Sequence, residues 1–156
     1  MPAETCPLCT QAGGALLWRG TSLRVIAVAD ADYPGFTRVV LNDHVAEMTD
    51  LPQARRDDVM RVVYLVEEVM RRTLAPDKVN LAAFGNVVPH LHWHVIPRWR
   101  DDRHFPDPYW APARVLPGQE PQGWEERRQM REQQVAFYHQ ALVAALNASV
   151  GSTGEQ

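Results

Sequence analysis

His90-Leu91-His92-Trp93-His94-Val95-Ile96 puts three histidines at alternate positions of an otherwise apolar run. In an extended strand successive side chains point to opposite faces, so the three imidazoles share one face while Leu91, Trp93 and Val95 pack on the other. Alternate residues lie roughly 6.6 Å apart at about 3.3 Å rise per residue, which suits a row of groups meeting one polyanion or one shared metal. The interleaved apolar residues argue against a tag-like or merely solvated face, which would have no buried side. Trp93 is therefore expected in the core.

Outward from this strand, a second strand is expected over Val79 to Phe84, joined to it by only Gly85 to Pro89. So short a connection implies an antiparallel pair. Upstream, Ala15 to Trp18 and Leu23 to Ala29 read as a hairpin about Gly20-Thr21-Ser22, and Thr37 to Leu41 continues the sheet after the turn Asp32-Tyr33-Pro34-Gly35. A helix is expected to start with Asp50 as cap and Pro52 in its first turn. Its apolar face is Val59, Val62, Val63, Val66, Val69 and Met70, it stops before Pro76, and Glu67/Arg71 and Glu68/Arg72 are paired on its exposed side. Residues 100–122, rich in proline and aromatics, show no period and read as a wrapped irregular segment. A second helix is expected from Trp124 to Leu146, with Val135, Tyr138, Leu142 and Leu146 on one face. The expectation is an α+β fold, an antiparallel sheet of about five strands with one long helix and a C-terminal helix. One domain is expected over 1–147, with 148–156 a disordered tail.

At 156 residues, with 46% hydrophobic and 22% charged residues, the chain fits one compact domain with a real core. A formal charge of -3 without a basic stripe excludes the footprint of a polymeric nucleic-acid binder. No apolar run reaches the roughly 18–20 residues that span a bilayer, and no leader pattern opens the chain, so no membrane partner and a cytoplasmic location are expected.

The two cysteines form Cys6-Pro7-Leu8-Cys9. A lone C-x2-C without a secretory leader reads as a metal half-site or a redox pair rather than a disulfide framework. The redox reading needs the pair to open a helix after a strand, and Thr10-Gln11-Ala12-Gly13-Gly14 starts a helix poorly.

Imidazole chemistry narrows the use of the three histidines. A neutral ring nitrogen is a competent nucleophile near pH 7 and can attack an α-phosphate to give a nucleotidyl-histidine that water or another acceptor resolves. The other ring nitrogen must donate a hydrogen bond that fixes the tautomer. Donors must already face the phosphoryl oxygens, and the Gly85-Asn86-Val87-Val88 backbone is the expected source.

The pattern His-φ-His-φ-His-φ-φ, with φ apolar, resembles the signature of the histidine-triad (HIT) family of nucleotide hydrolases and transferases. Residues 79–89 and 37–51 are similar to that family's strand-and-glycine loop and its strand-to-helix junction, and the resemblance covers about residues 5 to 100. It implies the HIT fold, a homodimer, and reaction at the α-phosphate of a purine nucleotide conjugate or dinucleoside polyphosphate. It further implies His92 as nucleophile, His94 on the phosphate oxygens, and His90 behind, orienting the site. Asn80, Gly85, Asn86 and Val87 match positions near phosphate or ribose, and Asp30 or Asp32 matches an acidic residue near the ribose. A structural zinc on Cys6, Cys9, His44 and His90 is implied by some relatives, with no cofactor required for catalysis; two free thiols is the other reading.

Two positions depart from the family. Val87 stands where many relatives carry Ser or Thr near the leaving oxygen, and Phe36 stands where many carry a histidine. Two alternatives to an enzyme therefore stay open: a nucleotide-binding regulatory module with little turnover, and a zinc-stabilised interaction protein. Outside the motif, His104 and His139 are expected on the surface. Tyr109 and Trp110 are expected to pack the C-terminal segment rather than stack on a base.

Overall fold

The computed structural model describes residues 3–151. After a 3-10 turn at Ala3–Thr5 come α1 (Pro7–Thr10), β1 (Ala15–Arg19), β2 (Leu23–Ala27) and β3 (Thr37–Leu41). A 3-10 turn at Met48–Asp50 leads to α2 (Gln53–Leu74), then β4 (Lys78–Ala82), β5 (His92–Arg98) and α3 (Trp124–Gly151). The five strands form one antiparallel sheet in the order β1-β2-β3-β5-β4. This is the α+β architecture expected, down to the long helix and the C-terminal one.

Strand alternation divides the chemistry. Val25, Val39 and Val95 point to one face and are fully or almost fully buried beneath Val63, Val66, Val69 and Met70 of α2 and Tyr138, Leu142 and Leu146 of α3. Both helices thus cover the same side. Thr37, on this face, joins β3 to α3 through a 2.8 Å hydrogen bond between its hydroxyl and that of Tyr138. The opposite face carries Arg38, Val40, His92, His94, Ile96 and Arg98.

Several local expectations need correction. β5 begins at His92, and His90 lies in the connection before it, where its backbone N–H donates to the Val88 carbonyl. Asp50 does not cap α2; it ends the 3-10 turn, and Pro52, whose fixed φ suits a helix start, stands at the N-cap. Of the two expected helix pairs, Glu68–Arg72 forms at 3.7 Å, whereas Glu67 lines a cleft beside Lys78. Trp93 is only partly buried against the core. α3 runs through Gly151, so residues 148–151 are helical rather than tail; 152–156 lie outside the described residues.

Residues 99–123 have no regular structure but are firmly tied down. The buried pair Arg98–Asp102 closes at 2.6 Å, and Asp102 also accepts the backbone N–H groups of Trp99, His104 and Phe105. Arg103 bridges Asp32 and Glu120 at 2.8 and 2.9 Å. The segment crosses the histidine-bearing face, where Tyr109 meets the rings of Tyr33 and Phe36 edge-on at 5.0 and 5.5 Å.

Candidate active site

A cavity of about 520 Å³ opens on the face bearing the histidines, with His92 and His94 in its wall. Gly85, Asn86, Val87 and Val88 form one side, and Pro7, Leu8 and Gln11, in and just after α1, form another. The volume lies in the range of ordinary small-ligand sites. Gly85 has φ 79°, and a Cβ there would meet nothing nearer than 3.8 Å, so the left-handed backbone rather than lack of room calls for glycine.

His92 is held by its neighbour's main chain, with Nδ1 2.6 Å from the carbonyl oxygen of His90. A carbonyl can only accept, so Nδ1 carries the proton and Nε2 keeps the lone pair. Burial pushes the His92 pKa down, against the pull of that carbonyl and with help from Arg38. The ring is neutral at pH 7. Burial, reinforced by Arg38 and His92, pushes His94 down to about 3, and its buried Nδ1 has no hydrogen-bond partner. An orphaned buried polar atom is unfavourable unless a ligand completes it. The two rings lie 4.9 Å apart between centroids.

His90 faces elsewhere. It is fully buried, and Nε2 donates to the Leu41 carbonyl at 2.7 Å, leaving Nδ1 as the lone-pair nitrogen. That nitrogen is 3.5 Å from Cys6 Sγ and 3.3 Å from Cys9 Sγ, and Cys9 Sγ is 3.2 Å from His44 Nδ1. All four ligand atoms lie within 4.8 Å of one another. A tetrahedral zinc with bonds of about 2.0–2.3 Å has sulfur–nitrogen edges of roughly 3.5 Å, so the donor set fits that ion with small adjustment. Arg24 lies beside this cluster, where its charge pulls the Cys9 thiol down against the stronger upward push of burial and of Cys6. It is buried, and its guanidinium donates to the carbonyls of Leu8, Ala12 and Leu41 and to the Asn42 side chain, with no carboxylate among these partners.

Other expected site residues fall into place or fall away. Gly85, Asn86 and Val87 line the cavity, with Val87 86% exposed at its rim. Asn80 does not line it: the β4–β5 register sets it opposite Ile96, beyond the histidines, where its Oδ1 accepts from Arg98 at 2.7 Å. Asp30 is also outside; it accepts from the backbone N–H of Asp32 and the Tyr109 hydroxyl, and lines a separate cleft beside α3. His104 is not a plain surface residue, since it stacks on Tyr33 and bonds its hydroxyl. His139 is half-buried with an unpartnered Nε2 rather than solvated. Tyr109 packs as expected, while Trp110, in the neighbouring cleft beside Asn80, meets Phe84 edge-on and stays 60% exposed.

The residue that sequence reading missed is Arg38. It lies directly opposite His94 across the β3–β5 ladder and lines the same cavity. The available signal was a cation interrupting the apolar run Phe36-Thr37-Arg38-Val39-Val40 on the alternation that faces the histidines.

Comparison with known proteins agrees with this geometry. Residues 18–101 match the HIT domain. The "AP-4-A phosphorylase" of Mycobacterium tuberculosis is 26% identical over 110 residues, covering 67% of this chain and 56% of that protein. The "Bis(5'-adenosyl)-triphosphatase" of Saccharomyces cerevisiae is 30% identical over 73 residues, covering 43% of this chain and 35% of that one. The chain therefore spans about half the length, or less, of these curated relatives. A histidine triad protein of Marinobacter aquaeolei superposes with a TM-score of 0.60 at 26% identity, covering 80% of this chain and 92% of its own.

Proposed function

Because the chain belongs to the HIT domain family, we propose that it cleaves or transfers the α-phosphoryl group of a purine nucleotide conjugate or dinucleoside polyphosphate, with His92 as the nucleophile. The observation that carries this reading is the hydrogen bond from His92 Nδ1 to the His90 carbonyl. It leaves a neutral ring with its lone pair on Nε2, on a side chain that walls a cavity of about 520 Å³. In the proposed first step, Nε2 forms a bond to the α-phosphorus and the leaving group departs; water or another acceptor then breaks the phosphorus–nitrogen bond. His94 and the backbone of Gly85 to Val88, which line the same cavity, hold the phosphoryl oxygens. His90 acts by positioning His92.

Cys6, Cys9, His44 and His90 are the proposed zinc ligands. When bound, the ion supplies a structural cross-link and no chemistry on the substrate, since all four positions are filled by protein. A homodimer is the proposed assembly, with β4 an edge strand of the sheet in one copy.

Rapid quenching after mixing with a panel of adenylated compounds tests the reading. Mass spectrometry should find a nucleotide adduct on the peptide containing residues 90–94. Nucleotide binding without adduct or turnover overturns the enzyme in favour of a binding module.

A further inference from the structure

The charge of the cavity is uncompensated. The Arg38 guanidinium sits 5.5 Å over the Phe36 ring, and its buried Nε has no hydrogen-bond partner. Among the described residues no carboxylate pairs with it. Arg98 and Arg103, by contrast, each close on a carboxylate at 2.6 and 2.8 Å. Across the ladder stands His94, and His92 is beside it; an imidazole carries no negative charge with which to balance a cation. A half-buried, unpaired guanidinium is unfavourable in itself and is completed by an anion, for which its planar fork is well shaped when the anion is a phosphate.

A second feature lies at the rim of the cavity. Val87 stands at the cavity rim, 86% exposed, on the loop that precedes the histidines. Its side chain has no proton to give. An amine expelled from phosphorus must gain a proton as it leaves, whereas a phosphate can depart as an anion.

We infer that Arg38 holds the phosphate next to the one attacked, so that this protein selects nucleotides whose leaving group is itself a phosphate or polyphosphate over those whose leaving group is an amine. This rests on the proposed reaction at the α-phosphorus. As the bond from Nε2 to that phosphorus forms, the bridging phosphorus–oxygen bond breaks and its electron pair stays on the departing phosphate. The added negative charge meets the guanidinium, and no proton is needed. Water then attacks the phosphorus, forming a phosphorus–oxygen bond as the phosphorus–nitrogen bond breaks with its pair returning to Nε2, and one proton of the water is released to solvent.

Two measurements test it. The first compares kcat/KM for a dinucleoside polyphosphate and a nucleoside 5'-phosphoramidate in the native protein, Arg38→Lys and Arg38→Gln. The native protein should prefer the polyphosphate. Arg38→Gln should lose about 100-fold on it, the size of effect seen when one charge-stabilising donor is removed, with a much smaller loss on the phosphoramidate and an intermediate result for Arg38→Lys. Equal losses on both substrates, or a native preference for the phosphoramidate, overturn the inference. The second is calorimetric titration with inorganic pyrophosphate, which needs no turnover. Binding that Arg38→Gln abolishes supports the anion site even if every nucleotide proves inert, which would sink only the proposed reaction. Absence of pyrophosphate binding to the native protein, or binding untouched by Arg38→Gln, overturns the inference whatever the turnover assays show.

Discussion

The Nδ1 of His92 and the carbonyl oxygen of His90, 2.6 Å apart, join the two halves of this site. His90 faces the cysteines with its ring and His92 with its main chain, so one residue would serve both the proposed metal cluster and the proposed nucleophile. If His92 is that nucleophile, His92→Asn keeps a donor near the same carbonyl but removes the attacking lone pair. Turnover should fall at least about 1,000-fold, and the adduct on the 90–94 peptide should disappear. Nucleotide affinity, measured by calorimetry, should change far less.

The cluster of Cys6, Cys9, His44 and His90 should hold one zinc per chain. Pro7 and Leu8, between the two cysteines, line the cavity, so the ion would fasten one of its walls. A ligand present at about 1,000 times its Kd stabilises by about 4 kcal/mol. For a domain of this size that corresponds to roughly 10 °C in Tm. Elemental analysis should find the metal, and Cys9→Ser should lower its content and the Tm together. A fully stable, fully active protein after complete chelation would remove zinc from the account.

Much of this arrangement was legible in the sequence because it is periodic. Alternation put His92 and His94 on one face of β5 and Val95 on the other, and the spacing of Val59, Val62, Val63 and Val66 gave the buried stripe of α2. What stayed hidden depends on register between distant strands. The cation at Arg38 stands out within Thr37–Leu41, but only the strand register sets it opposite His94, and nothing in Lys78–Ala82 says that Asn80 is one pleat too far along. The alternation runs through His90 as though it belonged to the strand, yet its ring is drawn off by Leu41 and the two cysteines. Residues 99–123 were unreadable for another reason: their order comes from scattered side-chain bonds, to Asp102 and from Arg103 to Asp32 and Glu120, which leave no periodic trace.

The depressed pKa of His94 has a consequence for stability. In the folded chain the ring stays neutral down to about 3, because burial, Arg38 and His92 all oppose the charged form. The unfolded chain takes up a proton near pH 6.5. Below that value the unfolded state binds more protons than the native one, so stability falls with falling pH by up to about 1.4 kcal/mol per unit from this residue. Above about pH 7 it contributes no slope. Denaturant titrations between pH 5 and 7 should show that slope in the native protein and a shallower one in His94→Gln, by roughly one proton. Parallel slopes would mean that His94 titrates normally when folded.

Asp102 is the knot of the segment over the histidine face. It meets Arg98 at 2.6 Å with both side chains almost fully buried, and it also takes the backbone N–H groups of Trp99, His104 and Phe105 and the Tyr33 hydroxyl. Breaking such a pair by removing one member strands the other charge, at about 3–5 kcal/mol. Asp102→Ala should therefore cost that much in denaturant titrations and expose residues 99–123 to limited proteolysis. Replacing both partners, Arg98→Met with Asp102→Leu, removes the stranded guanidinium but leaves three backbone donors without their acceptor. The double variant should recover only part of the loss, because the amides and not the ion pair alone hold the turn. Full recovery would assign the stability to charge pairing, and no recovery would assign it to the backbone bonds. Tyr33 connects this turn to Tyr109, whose hydroxyl donates to Asp30. Loosening it should thus free Asp30 from Tyr109, and nucleotide affinity in Asp102→Ala reports whether that carboxylate is held away from the ligand or is never near it.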